Sequence, residues 1–327
     1  MRYFLTGATG FIGGRILQQL LQAGHEVHAL VRDTSKAGHL LKPGVTLFQG
    51  NILNKGTMIQ GMKNVDGVFH AAGWYKVGSG RKFEGEMINI QGTRNVLELM
   101  KELGIPKGVY TSSLAVFSDT RGKFVNENYR YSGPHLTEYD RTKWVAHYEV
   151  AEPMIRQGLP LVIVLPGLVY GPGDTSTVRT TWLQFLSRKL PMVPKGTAFC
   201  WSHVDDVAQA HVLAMQKGKI GESYIIAGSA HSFENGLKVA QQITGITPPR
   251  IKLAPGIVKT MAGAMGLIEK ILPAPESYNA EALRAMAGVT YLGSNAKARL
   301  ELGYNPRSLE EGLTETLLHE LKLISMN

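Results

Sequence analysis

The chain has 327 residues, is 44% hydrophobic, and carries a net charge of +9 with a single cysteine, Cys200. That length fits one or two domains, and one cysteine excludes a disulfide-held scaffold. The cations are scattered rather than massed, which excludes a nucleic-acid patch and leaves solubility and attraction to anionic small ligands.

The first apolar run follows a lone Arg2 and stops at Thr6 and Gly7, so it reads as a strand and not as a secretory leader. A helix follows in "FIGGRILQQLLQAG", with Gly24 as its stop. Further strands read as "EVHALVR", "VTLFQGN" and "VDGVFHAAG". The helix "NIQGTRNVLELMKELGI" leads to a fifth strand, "KGVYTSS". Two more buried strands read as "LPLVIVLPG" and "ESYIIAG", the latter preceded by the helix "HVDDVAQAHVLAMQK". Strands alternating with helices predict an α/β fold with a doubly wound parallel sheet covered on both faces. The chain is expected to leave this sheet near residue 173 and to return before residue 230. The expected division is therefore 1–172 with 202–230 for the sheet domain, and 173–201 with 231–327 for a smaller, discontinuous α+β domain. The apolar stretch "GIVKTMAGAMGLIEKILPAP" carries Lys259, Glu269 and Lys270, too many charges for a membrane span. A reducing, cytoplasmic setting is expected from the cysteine usage.

Gly7, Gly10 and Gly13 lie between the first strand and the first helix. Glycine lets backbone approach a pyrophosphate without a Cβ in the way, and the helix N-terminus presents free N–H groups to the phosphates. The spacing G-x-x-G-x-x-G differs from G-x-G-x-x-G, and its place between strand and helix gives it weight. At the end of the second strand an acid would receive the ribose 2′-hydroxyl of NAD, but this chain has Val31 and then Arg32. A guanidinium suits a 2′-phosphate, so NADP(H) is favoured, with Lys36 as a second cation and NAD(H) left open. The plainer reading of Arg32 is a solvated strand-end charge, and Asp33 would repel a 2′-phosphate that it faced.

Tyr139 and Lys143 in "EYDRTKW" are four apart, which places them on one face of a helix. A nearby ammonium and a cationic nicotinamide would lower the phenol's pKa from about 10 and let it exchange a proton with a carbonyl or an alcohol. Ser113 falls at the C-terminal end of the fifth strand, where such sheets bind ligands, and its hydroxyl can polarise the same carbonyl.

With these motifs in order, the chain resembles the extended short-chain dehydrogenase/reductase superfamily, also described as the NAD-dependent epimerase/dehydratase superfamily. The segments that carry the resemblance are "TGATGFIGG", "HAAG", "NIQGTRNV", "TSSLAVF", "YDRTK", "LPGLVYGPGD", "HVDDVAQAHV" and "LGSNAKARLELGYNPRSLEEGL". "ALVRDTSK" and "VYTSS" place it nearest the dihydroflavonol-4-reductase-like and 3β-hydroxysteroid-dehydrogenase-like branch. The resemblance implies a Rossmann-type sheet, a catalytic Ser113, Tyr139 and Lys143, and a Lys143 that also holds the nicotinamide ribose. It implies cofactor contacts at Gly7, Thr9, Gly10, Phe11, Ile12, Arg32, Asn51, Ile52, Ala71, Ala72, Gly73 and Pro166. Asn51 departs from the usual Asp that meets the adenine amino group, and its amide can still accept that bond. Dehydratases of this fold carry an acidic pair where Leu114 and Ala115 stand, which argues against dehydration. NAD-dependent epimerases keep an acid where Val31 stands, which argues against a nucleotide-sugar epimerase, the alternative reading. A non-catalytic NADP(H)-sensing protein would be expected to lack Tyr139 or Lys143. Homodimers are common in the family, and the sequence leaves that open.

Trp74 and Tyr75 follow the fourth strand and are expected to stack on a ring-shaped substrate. "RGKFVNENYRYSGPH", "TTWLQFLSRKLPMVP" and "KTMAGAMGLIEKIL" are expected to form the other walls. Few cations are expected to line the pocket beyond Arg179, so the expected substrate is an apolar, cyclic or aromatic carbonyl compound or alcohol. Met261 and Met265 suit a lid, a core or a dimer contact. His70 is expected to pack and not to catalyse. His203, Asp205 and Asp206 are read as a helix start rather than a metal site. Asn89 is expected to tie backbone near the site, and Cys200 has no nucleophile pattern around it.

Overall fold

Seven short apolar runs pair side by side, all parallel; most are buried on both faces, while the edge run over 45–49 is only part-buried. The computed structural model describes residues 1–75, 82–269, 271–272 and 278–326. In chain order the first half runs β1 (Arg2–Thr6), α1 (Phe11–Gln22), β2 (Glu26–Val31), β3 (Val45–Gln49), α2 (Ile59–Met62), β4 (Gly67–His70), α3 (Lys82–Gly85), α4 (Thr93–Glu102), β5 (Gly108–Thr111), α5 (Glu138–Val145), α6 (Glu152–Arg156) and β6 (Leu161–Pro166). Next come β7 (Leu168–Tyr170), α7 (Thr177–Leu186), β8 (Val193–Pro194), β9 (Ala198–His203), α8 (Val204–Lys217) and β10 (Ser223–Ile226). The chain ends with β11 (Ala230–Ser232), α9 (Phe233–Thr244), β12 (Lys252–Leu253), α10 (Pro255–Ile268), α11 (Ala280–Ala285), β13 (Thr290–Tyr291), α12 (Ala296–Leu302) and α13 (Leu309–Ser325).

The main sheet has the order β10-β6-β5-β4-β1-β2-β3. Its seven strands are the seven read from the sequence. The order reverses between β1 and β4, which opens a crevice at the carboxyl ends of those two strands, where ligands bind in sheets of this kind. Alternate residues feed opposite cores. Ile225, Ile163 and Leu165 join the cluster under α4 and the helical stretch after α5. Tyr224, Ile226, Val162 and Val164 join the cluster under α1 and α8. The period of two along each strand therefore becomes two hydrophobic layers.

The second sheet forms around β9, which pairs with β7, β11 and β13. It covers a third core that includes Trp182, Phe185, Trp201, Phe233 and Leu313. The crossing from the first sheet comes at Leu168, directly after β6, and so precedes residue 173. Met261 and Met265 pack beside Val258, Ala262, Leu283 and Ala287, so both serve the α10–α11 contact.

Candidate active site

The turn after β1 explains the first glycine. Gly7 has φ +79, and a Cβ there would lie 2.7 Å from the Ala72 amide nitrogen, at the end of β4. Only glycine fits this left-handed position and this close approach. A Cβ on Gly13 would lie 2.1 Å from the Gly7 carbonyl oxygen, so the third glycine lets α1 sit against the turn. Gly10 caps α1 with no side chain, and the first turn of α1 holds no acid. Its leading N–H groups therefore keep their positive end open, the arrangement that suits a pyrophosphate. Thr9 and Gly10 are exposed, Phe11 and Ile12 are partly buried, and Ala71, Ala72 and Gly73 line the neighbouring strand end. Ile52 and Pro166 are buried.

Arg32 is exposed at the end of β2. Asp33 beside it accepts bonds from the Ser35 amide (3.0 Å) and hydroxyl (2.6 Å), and the Lys36 ammonium lies 3.5 Å away. These donors hold the Asp33 carboxyl below its ordinary range, the Ser35 hydroxyl first. The acid that would oppose a 2′-phosphate is thus engaged in its own turn. Asn51 is exposed, and its side-chain oxygen accepts from the Leu53 amide at 3.0 Å.

Tyr139 and Lys143 both lie on α5, which starts at Thr137, whose hydroxyl accepts from the Asp140 amide. Ser113 follows β5, and its Oγ accepts from the Ala115 amide at 3.1 Å. The fold brings Ser113 close to Tyr139, 26 residues apart in sequence, so that the serine hydroxyl acts on the phenol. Burial pushes the Tyr139 phenol up to about 12; the Ser113 bond works against this and the Asp140 charge adds to it. The sequence led us to expect a phenol lowered by Lys143. The Lys143 ammonium instead donates to the Thr111 carbonyl at 2.7 Å and stands 5.1 Å from the Tyr110 ring centre. Its burial draws it down to about 7, because an ammonium loses hydration there.

Around these groups the polar side chains are tied down. His70 bridges the hydroxyls of Thr6 (2.8 Å) and Thr93 (3.0 Å), and burial lowers it to about 3, a neutral packing histidine. Asn89 accepts from the Trp74 amide (2.7 Å) and donates to the Trp74 carbonyl (2.9 Å) and the Thr142 hydroxyl (3.0 Å). That fixes the loop after β4 to α5. Trp74 is buried against Gly85. Tyr75 is half-exposed, and its hydroxyl meets that of Thr175 at 3.1 Å. Residues 76–81 of the expected wall lie outside the described residues.

Asp140 was not read from the sequence. It is buried next to Tyr139, accepts from Thr137 (2.8 Å) and from the Tyr291 hydroxyl of β13 (3.0 Å), and burial raises it to about 7. The signal was the T-x-x-D pattern at the start of α5, a helix-capping arrangement. Cys200 is buried, exchanges weak bonds with the Gly293 backbone, and its thiol is raised by burial, which makes it unreactive.

His203, Asp205 and Glu315 bring one possible metal-ligand atom each within 4.8 Å of one another. Each acid already faces a guanidinium: Asp205 faces Arg15 at 3.4 Å, and Glu315 faces Arg307 at 2.7 Å. Asp206 holds the backbone and guanidinium of Arg307. His203 caps α8, as the helix-start reading expected. Arg179 makes a two-point pair with the buried Glu320, at 2.7 and 2.9 Å.

Residues 3–227 match the NAD dependent epimerase/dehydratase family. A Synechocystis sp. protein provisionally named a dihydroflavonol 4-reductase is 31% identical over 323 residues, which cover 96% of this chain and 93% of that one. The sterol demethylase protein B of Methylococcus capsulatus is 27% identical, with 97% of each chain covered. Among solved structures, that of gox2253 superposes with a TM-score of 0.86 at 30% identity over 98% of both chains. A Thermus thermophilus UDP-glucose 4-epimerase in complex with NAD shares the fold, with a TM-score of 0.75 at 22% identity over 98% of each chain.

Proposed function

The chain belongs to the NAD dependent epimerase/dehydratase family, and from that premise we propose that it is an NADP(H)-dependent reductase of apolar carbonyl compounds. It is an NAD(P)-dependent enzyme of the extended short-chain dehydrogenase/reductase type. The observation that carries the finer reading is the gathering of Ser113 after β5 and of Tyr139 and a buried Lys143 on α5, with the Lys143 ammonium on the Thr111 carbonyl at the C-terminal end of β5.

The residues present fit a dinucleotide. The α1 N-terminus with Gly7 and Gly10 would hold the pyrophosphate, Arg32 and Lys36 the 2′-phosphate, and Lys143 the nicotinamide ribose. NADPH, when bound, supplies the hydride. Ser113 donates to the substrate carbonyl and orients it. Tyr139 gives its phenolic proton to the same oxygen. A phenol near 12 stays protonated at neutral pH, which is the state that reduction needs. Ser113 can return a hydrogen bond to the phenolate that forms.

Trp74 has a buried indole N–H with no hydrogen-bond partner among the described residues, a donor that a substrate oxygen would satisfy. With Tyr75 it supports the reading of a wall beside a ring-shaped substrate. Arg179 is committed to Glu320, so the cation that a nucleotide diphosphate would need in α7 is already neutralised. This speaks for an apolar substrate and against the epimerase reading. The two sheets support the proposed division into a cofactor domain (1–172 with 202–230) and a substrate domain (173–201 with 231–327), with β7 reaching across. The test is a panel of aromatic and alicyclic ketones, aldehydes and alcohols with NADPH and NADH side by side. Faster NADPH-dependent reduction of apolar ketones supports the reading. Turnover only of UDP-sugars would overturn it.

A further inference from the structure

Residues 250–272 contain six large apolar side chains that face water: Ile251, Ile257, Leu267, Ile268, Ile271 and Leu272, each between 47% and 83% exposed. Helix α10 runs through this segment, and its inner stripe is already used, with Val258 and Ala262 packed beside α11. Ile257, Ala264, Ile268 and Ile271 recur at helical spacing on the outer side, and the amides of Ile271 and Leu272 still bond the Ile268 carbonyl. A contiguous apolar face of this kind marks an interaction surface.

The charges around it are mostly cationic. Glu269, beside Ile268, accepts from the Ala280 amide, and Glu234 is paired with Lys252 of β12. No acidic residue occurs from Asn235 to Ile268, nor from Ser176 to Val204. The pairing of β8 with β12 brings these two acid-free stretches together at the start of α10, and the Lys195 amide bonds the Leu253 carbonyl at 2.9 Å. Along these two stretches Arg188, Lys189, Lys195, Arg250 and Lys259 are exposed, and none is in an ion pair among the described residues. A second copy of the chain would set these cations against themselves in a two-fold contact. An anionic surface with an apolar interior complements both features.

We propose that the outer face of α10, with the cationic β8–β12 edge beside it, docks the enzyme on an anionic phospholipid bilayer. The helix lies in the plane of the interface and does not cross it; among the described residues no helix is long and apolar enough to span a membrane. The docking stands independently of the carbonyl reductase reading and adds to it a site at which an apolar substrate would be met.

The test is co-sedimentation of the full chain with phosphatidylcholine vesicles, with and without about one-third phosphatidylglycerol, at low and high salt. Binding to the anionic vesicles should exceed binding to the neutral ones by about tenfold and fall with salt. Leu267→Ser with Ile268→Ser and Ile271→Ser should lose it. So should Lys195→Glu with Arg250→Glu and Lys259→Glu, a set of exposed positions that leaves the fold intact. Equal sedimentation with neutral and anionic vesicles, or unchanged binding by the charge-reversed variant, would overturn the proposal. So would a lipid-free dimer that the serine variant dissociates, because the face would then belong to a second copy.

Discussion

Arg32 and Tyr139 show how one side chain's surroundings decide its use. Arg32 is exposed while its acidic neighbour is bound into a turn by Ser35 and Lys36, so its guanidinium is available to an anion. Arg32→Ala should raise the KM for NADPH by about tenfold or more and leave that for NADH within about twofold, because a charge-assisted bond is lost with only one of them. Steady-state kinetics with both cofactors checks this. Equal losses would make Arg32 a solvated surface charge. Gly7 is fixed by geometry: at φ +79 and 2.7 Å from the Ala72 amide, Gly7→Ala should destabilise by ~2 kcal/mol or more and abolish tight NADPH binding. Thermal unfolding with and without NADPH measures both effects.

At the scale of elements, α5, the helix that carries Tyr139, is linked to the second sheet through Asp140 and Tyr291. The folded chain holds the Asp140 carboxyl near 7, above its ordinary value, so between about pH 4 and 7 the native state binds more protons than the unfolded one. Stability from this group is therefore present at low pH and lost as pH rises through about 7. Asp140→Asn should cost most at about pH 5 and least at about pH 8, a difference of a few degrees in Tm. A pH-independent difference would contradict the buried, proton-binding carboxyl. That Tyr139 and Lys143 share one helix was legible in the sequence, because their spacing is local; that the Lys143 ammonium turns to the Thr111 carbonyl was not. The Asp140–Tyr291 bond, between residues 151 apart, was not, and β13 itself is only two residues long. A strand that short shows no hydrophobic alternation to read. Likewise, the burial that raises Asp140 depends on the packing of distant segments and has no local pattern.

For the whole molecule, the seven-strand sheet was readable because its strands are buried runs separated by helices of regular period. The second sheet was not, since its strands draw on distant segments and mix polar with apolar residues. Arg179 illustrates the cost of reading composition alone. It stood out as a cation among apolar walls, and the fold spends it on Glu320, which joins α7 to α13. Arg179→Met should destabilise by ~3 kcal/mol by leaving a buried carboxylate unpaired, as measured by denaturant unfolding. NADPH at about 100 times its Kd should add ~2.7 kcal/mol to stability, while UDP-glucose should add nothing measurable. The central claim is that the Tyr139 phenol passes the proton that completes reduction of a carbonyl. Its most direct measurement is kcat/KM for an apolar aromatic ketone with NADPH in Tyr139→Phe, alongside the NADPH Kd by fluorescence. The account predicts a loss of about 100-fold or more with Kd within about twofold. Turnover retained in the phenylalanine variant would contradict it.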